Sequence, residues 1–232
     1  MGWRYWLRLP PAQQTVTTEQ NRSPLRPIPT LWELAAKGIY PAVRSRFVIS
    51  GPEIDSGRAG ETFVRRSWVA DLSVALVYDF GSRTTQVSEH TAAVWGQPHE
   101  ALWERALRNL RSLSRPHWEE LSDGVFRLVS DCAYEETFPL LADVMDSLPC
   151  KDPVIALPNR GVVLATSSYD ADAIWELIGR ARDSLQKAPW PLSGILLQRV
   201  GAGWSRYIPP PSLSPACARL NAISLSRTRS PS

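Results

Sequence analysis

The chain alternates between two hydrophobic periods, and the points of change mark its elements. Residues 72–80 (Leu-Ser-Val-Ala-Leu-Val-Tyr-Asp-Phe) are near-continuously apolar with a period of two. This predicts a strand, turned by Gly81-Ser82 into an antiparallel partner over 83–87. Residues 153–157 and 162–165 repeat the pattern around Pro158-Asn159-Arg160-Gly161, predicting two buried strands about a tight turn. A third hairpin is expected over 194–200 and 203–208, folded about Gly201-Ala202, and a short strand over 125–129.

Between these lie segments of helical period. Pro98 opens a stretch whose stripe is Leu102, Ala106, Leu110 and Leu113, with Trp103 and Leu107 beside it. Asp170 precedes the stripe Ile174, Ile178, Ala181 and Leu185 and is suited to cap that helix. Residues 138–148 also read as helix, with Pro139 tolerated in its first turn. Thr30 and Glu33 form a capping-box pattern for a helix running toward Lys37, and Pro41 is expected to start a further turn. A short strand is expected over 48–50 and a loop over 51–66. Strands that arrive as hairpins predict an α+β fold, with a largely antiparallel sheet and helices packed on it.

The remaining segments suggest the domain plan. Residues 1–29 are rich in Pro, Gln, Thr and Ser and read as a flexible arm, and 209–232 read as a disordered Ser/Arg-rich tail. A single domain over 30–208 remains, with ββα sub-halves 68–130 and 131–208. Net charge is +3, unevenly placed: residues 1–30 carry +3 and 206–232 carry +4, so the body between them is −4. A nucleic-acid binder needs basic residues gathered on one face of its domain, so nucleic acid is not expected as a partner. No apolar run has the roughly 20 residues needed to cross a bilayer, so no membrane role is expected. Three widely spaced cysteines suggest no disulfide framework and favour the cytoplasm.

Candidate chemistry is sparse, and neither catalytic residues nor a cofactor are expected. Asp79-Phe80-Gly81 matches a kinase magnesium-binding tripeptide, but it ends a strand and opens a hairpin, with no phosphate loop upstream. His90, His99 and His117 lack the spacing of metal ligands, so no metal site is expected. Cys132 precedes Glu135-Glu136, which raises its pKa, and a pair with His117 would require a tertiary approach. Asp143 and Asp146 share a helical face of the kind usually solvated. Of ten Trp residues, Trp103 and Trp175 read as core, whereas Trp3, Trp6, Trp190 and Trp204 border turns or ends and could mark a contact surface.

The 72–80 strand with Arg83-Thr-Thr-Gln-Val, the helix Ala106-Leu107-Arg108-Asn109-Leu110, the segment 131–141, and Asp152-Pro-Val-Ile-Ala-Leu-Pro-Asn-Arg160 together resemble the bacterial DUF1444 (YtpQ-like) family. The resemblance covers about residues 68–208. Gly161 stands where members commonly carry an acidic residue. The family has no established activity, so the resemblance implies a bacterial cytoplasmic α+β protein and supplies no catalytic residues.

Three functional expectations follow. The first is a non-enzymatic binding or regulatory module with a protein or peptide partner, since abundant Trp and basic ends accompany no recognisable catalytic set. The second is an enzyme or small-anion binder using Asn159 and Arg160 of the Pro158–Gly161 turn, with Arg108 and Asn109. The third is a toxin-immunity or secretion-chaperone role.

Overall fold

A computed structural model describes residues 27–46, 62–187 and 189–229. The expected strand at 48–50 and the arm up to residue 26 lie outside them. The elements are α1 (Trp32–Ala35), β1 (Ile39–Ser45), β2 (Arg65–Ser67), β3 (Leu72–Asp79), β4 (Thr84–Gln86), α2 (Glu89–Val94) and α3 (His99–Leu113). There follow β5 (His117–Ser122), β6 (Val125–Val129), a 3-10 helix (Glu135–Leu140), α4 (Ala142–Asp146), β7 (Pro153–Asn159) and β8 (Val162–Ser167). The chain continues through α5 (Ala171–Lys187), β9 (Leu197–Val200), β10 (Gly203–Arg206) and α6 (Ser214–Arg229).

The fold is α+β with two antiparallel sheets. In the first, β3 is central, with β1 on one edge and β2 and β4 sharing the other. The second runs β10-β9-β7-β8-β6-β5. Period-two alternation assigns its two faces. Ile155, Leu157, Val163, Ala165, Phe126 and Leu128 join a core with the first sheet and α3. Val154, Ala156, Leu164 and Val125 face a second core made with α5 and α6. Burial on both faces explains why β7 is buried at every position and reads as a continuous apolar run.

Several expectations are corrected. β1 replaces the turn expected at Pro41: it is an edge strand, where a proline's missing N–H costs no ladder bond. At its covered outer edge Val43 N–H donates to Thr137 Oγ1 of the 3-10 helix at 3.3 Å. The first helix is one turn long, and Leu31 occupies its N-cap without a side-chain bond, so the Thr30 capping box does not form. Trp95 anchors this region instead, donating through Nε1 to the Pro29 carbonyl. The helix expected over 138–148 is divided at Leu141, which is extended at φ −97°, ψ 116°. The first part is drawn into the 3-10 helix that starts at Glu135, where Pro139 no longer stands in the first turn and its missing N–H opposes the α-form.

The expected division at residue 130 does not match the sheets, because the β5–β6 hairpin belongs to the second one. Within the expected disordered tail Ser214–Arg229 form α6: Leu213, just before the helix, joins the second core with Ala216 and Leu220, and Ser224 is buried. Gly194 permits this docking, since a Cβ there would collide with the backbone of Leu220. The cap at Asp170 forms as expected, its Oδ1 accepting from Ala173 N–H at 2.9 Å.

Candidate functional site

The Pro158–Gly161 turn is a hairpin tip held from three sides. Gly161 has φ +73°, a left-handed conformation that favours glycine, and its N–H donates to Glu136 Oε2 at 2.9 Å. Residues 190–193 run beside the strand leading into the turn. Ser193 N–H donates to the Leu157 carbonyl, Leu192 N–H to the Pro158 carbonyl, and Arg160 N–H to the Trp190 carbonyl at 3.2 Å. That last bond sets the Arg160 guanidinium over the Trp190 ring, 5.9 Å from its centroid. Trp190 is nevertheless 51% exposed.

Asn159 faces inward and is 1% exposed. Its Nδ2 donates to the Ser184 carbonyl at 2.6 Å and to Ser184 Oγ at 2.8 Å, joining β7 to α5. Asn109 has a similar task elsewhere, donating through Nδ2 to the carbonyls of Ala36 and Ile39, both at 2.8 Å. Arg108 is exposed on α3 with Nη1 3.8 Å from Glu104. The turn thus brings Asn159 and Arg160 together, whereas Arg108 and Asn109 lie on another helix with other partners. Both amides are engaged in holding elements together.

Beneath the turn lies a polar cluster that the sequence did not disclose. Glu136 is 2% exposed, with Arg44 Nη1 3.9 Å from its Oε1. Burial pushes the Glu136 carboxyl above the usual range, opposed by the Gly161 N–H and by the charges of Arg44 and Arg160. Beside it, Tyr134 donates its hydroxyl to Asp79 Oδ2 at 2.8 Å and lies 5.3 Å from Tyr40 between ring centroids. Burial raises the Tyr134 phenol far above its ordinary value, and the bond to Asp79 adds to this. The other Asp79 oxygen accepts from Gly81 N–H at 2.6 Å, so Asp79-Phe80-Gly81 is a turn.

Cys132 is half-buried, and its thiol is pushed up first by that burial, then by Glu135 and Asp131, leaving it a weak nucleophile. His117 Nε2 lies 3.5 Å from Glu119 Oε1 on its own strand, and His99 Nε2 is 3.0 Å from Glu89. Among the described residues no three His, Cys, Asp or Glu side chains gather to hold a metal. Asp143 and Asp146 lie on an exposed face, as expected, paired to Arg111 and Arg199 at 2.9 and 2.7 Å. Trp103 is core, but Trp175 is 45% exposed on α5, against the expectation. Trp204 donates its indole N–H to the Pro139 carbonyl, and Trp3 and Trp6 lie outside the described residues.

A second buried carboxyl also went unforeseen. Asp71 accepts from Ser193 Oγ at 2.6 Å through Oδ1, while its Oδ2 is buried with no hydrogen-bond partner. The bond joins residues 122 apart in sequence and ties the first sheet to the 190–193 segment, a proximity no local pattern signals.

Neither a family model, nor a curated protein, nor a solved structure matches this chain. The DUF1444 resemblance therefore rests on the residues quoted for it.

Proposed function

We propose that the protein is a non-enzymatic binding module whose partner is a protein or peptide, contacted through the surface around Trp190 and Arg160. The observation that carries this reading is an exposed Trp190 with Arg160 across its face, at a turn fixed by hydrogen bonds from three segments. Trp and Arg dominate the energetic centres of protein interfaces, and a rigid platform loses little conformational entropy on binding. The polar cluster supports the same reading. Tyr134 and Asp79 bond to each other, Asp79 and Glu136 also accept from backbone N–H groups, and the raised Cys132 thiol is a poor nucleophile.

Membership of the DUF1444 family and a cytoplasmic location belong to this proposal, the latter supported by three free cysteines; among the described residues no helix is long and apolar enough to cross a membrane. The toxin-immunity and secretion-chaperone readings are special cases of it. The test compares retention of extract proteins on immobilised parent, Trp190→Ala, Arg160→Ala and, as an exposed-Trp control, Trp175→Ala. A protein held by the parent and by Trp175→Ala should be lost about tenfold or more with Trp190→Ala. Absence of any protein whose retention depends on Trp190 overturns the proposal.

A further inference from the structure

Glu136 is 2% exposed, whereas Arg160 and the Gly161 bonded to it are half-buried. The 3-10 helix that carries Glu136 is pinned in place. Phe138 is wholly buried, Thr137 Oγ1 accepts from Val43 N–H, and the Pro139 carbonyl accepts from the Trp204 indole at 3.1 Å. The tip of the hairpin is held more lightly. The β7–β8 ladder is regular from Pro153 to Ala156, slips in register, and closes with Asn159 opposite Val162. Asn159 is tied to Ser184. Beyond it, Arg160 N–H donates to the Trp190 carbonyl at 3.2 Å and Gly161 N–H to Glu136 Oε2 at 2.9 Å. One of the two backbone donors that set Arg160 over Trp190 therefore ends on a buried titratable group. Because the helix is pinned, lifting the tip is the smaller movement that brings water to that carboxyl.

We infer that Glu136 is a proton-operated latch on the partner-binding face: neutral, it stays enclosed and holds Gly161; ionised, it favours a state in which the Arg160–Gly161 tip lifts from Trp190. The consequence for binding rests on the Trp190–Arg160 reading, whereas the latch itself does not. A carboxyl keeps its proton more tightly where it is buried than where water reaches it, so pH shifts the population between the two states. Burial raises the Glu136 pKa, opposed by the Gly161 N–H and by the charges of Arg44 on β1 and Arg160 on the tip. Glu135, on the same helix, accepts from Ser130 Oγ at 2.8 Å, and Asp79 is bonded to Tyr134. β8, which packs on the helix, brings no ionisable side chain, and Asp143 and Asp146 of α4 are exposed and paired to Arg111 and Arg199. The latched state prefers the proton, so latching is complete below the ordinary carboxylate range and weakens as pH rises from there to the raised pKa. Across that window lifting becomes about tenfold easier per pH unit, and it then levels off.

In the ¹⁵N-labelled full chain, hydrogen-exchange protection of the Arg160 and Gly161 amides is measured from about pH 5 to about pH 9, beside the 154–156 amides of the ladder. Protection at the tip should fall about tenfold or more over this range. Low urea should leave exchange at the tip unchanged and speed it at 154–156, because lifting the tip exposes little surface and global unfolding exposes much. Glu136→Gln keeps the acceptor oxygen and cannot ionise, so its tip should show a flat profile. Arg44→Gln removes a charge that opposes the rise and should carry the fall on to higher pH, which gives the test should Glu136→Gln fail to fold. Retention of a Trp190-dependent protein should be weaker at the alkaline end in the parent and independent of pH in Glu136→Gln.

A flat profile in the parent, the same fall in Glu136→Gln, an unmoved profile in Arg44→Gln, or tip exchange that follows urea as the ladder does overturns the latch. Capture equally strong across the range removes its regulatory consequence. Trp190-dependent capture with an inactive latch leaves the binding module standing. A working latch with no Trp190-dependent partner stands while the proposed interface falls.

Discussion

Glu136 and Gly161 form one unit. The glycine N–H is the donor that a buried carboxyl needs, and its left-handed φ of +73° points that N–H at Glu136. A Cβ at that position would lie 3.8 Å from Glu135 Oε2. Gly161→Asp would therefore add a third carboxylate beside Glu135 and Glu136 and impose φ +73° on a residue with a side chain. It should destabilise the protein by about 1–3 kcal/mol, and Gly161→Asn should cost less because it adds no charge. Urea unfolding of the two variants checks this, and equal losses would remove the electrostatic part of the account. Asn109 gives a second residue-scale prediction. Its amide serves two carbonyls of the connection into β1, so Asn109→Leu should lose about 1–3 kcal/mol by removing the donor from the Ile39 carbonyl, while the Ala36 carbonyl keeps the Arg105 Nε–H at 3.0 Å. Arg108→Ala, beside it and exposed, should change stability by less than about 0.5 kcal/mol.

At the scale of elements, α6 depends on close approach more than on hydrophobicity. Its buried stripe is Leu213, Ala216, Leu220 and Ser224, with Cys217 and Ile223 half-buried beside it. Three of these six, Ala216, Cys217 and Ser224, are small residues, so contact with the 192–196 segment requires the helix backbone to come near Gly194. Gly194→Ala should push α6 away and cost about 1–3 kcal/mol, as over-packing does elsewhere. Limited proteolysis should then cut within 209–226 faster than in the parent, while the hairpins stay protected. Uniform protection in the variant would show that α6 adjusts without leaving its seat. The hairpins are less exposed to single contacts. β7 is bonded on both sides, to β8 and β9, and both of its faces are covered.

For the whole molecule, the two unforeseen carboxyls set the sign of the pH response. Asp71 and Glu136 both have folded-state pKa values raised, mainly by burial. A raised acid binds its proton more tightly folded than unfolded, so its contribution is present below the unfolded pKa and is lost as pH rises through the folded one. Asp143 is shifted the other way by Arg111, but it is largely exposed and the effect is screened. Stability should therefore fall as pH rises from the ordinary carboxylate range toward neutrality. Asp71→Asn should flatten that slope in denaturation measured at several pH values. The rise of Asp71 is opposed first by the neutral Ser193 hydroxyl, which donates to it, and then by the charges of Arg46 and Arg206. A slope unchanged in Asp71→Asn would move the pH response to other groups.

Elements whose signals are local are legible in the sequence. The 72–80 and 153–165 strands, the 98–113 helix, the Asp170 cap and the Gly201-Ala202 hairpin each carry their period or their turn chemistry within a few residues. The exposed pair at Asp143 and Asp146 was likewise legible from its spacing. The failures share a cause. β1 contains a proline and is hydrophobic because α3 and the 3-10 helix cover it. α6 has a stripe too small in side-chain volume to stand out from a tail rich in Ser and Ala. Glu136 looks like one half of a solvated acidic pair until Gly161 and Arg44 are brought to it from 25 and 92 positions away. The sequence by itself determined the β3–β4, β7–β8 and β9–β10 hairpins, the two long amphipathic helices and the α+β class, because backbone period and turn geometry are set by neighbours in the chain. β5, whose positions are exposed or half-buried, carries no such pattern. Tertiary structure alone decided which polar groups are buried, that α6 is ordered, and that Arg160 lies over an exposed Trp190. Burial and partnership depend on surfaces supplied from far along the chain, and no local pattern encodes them.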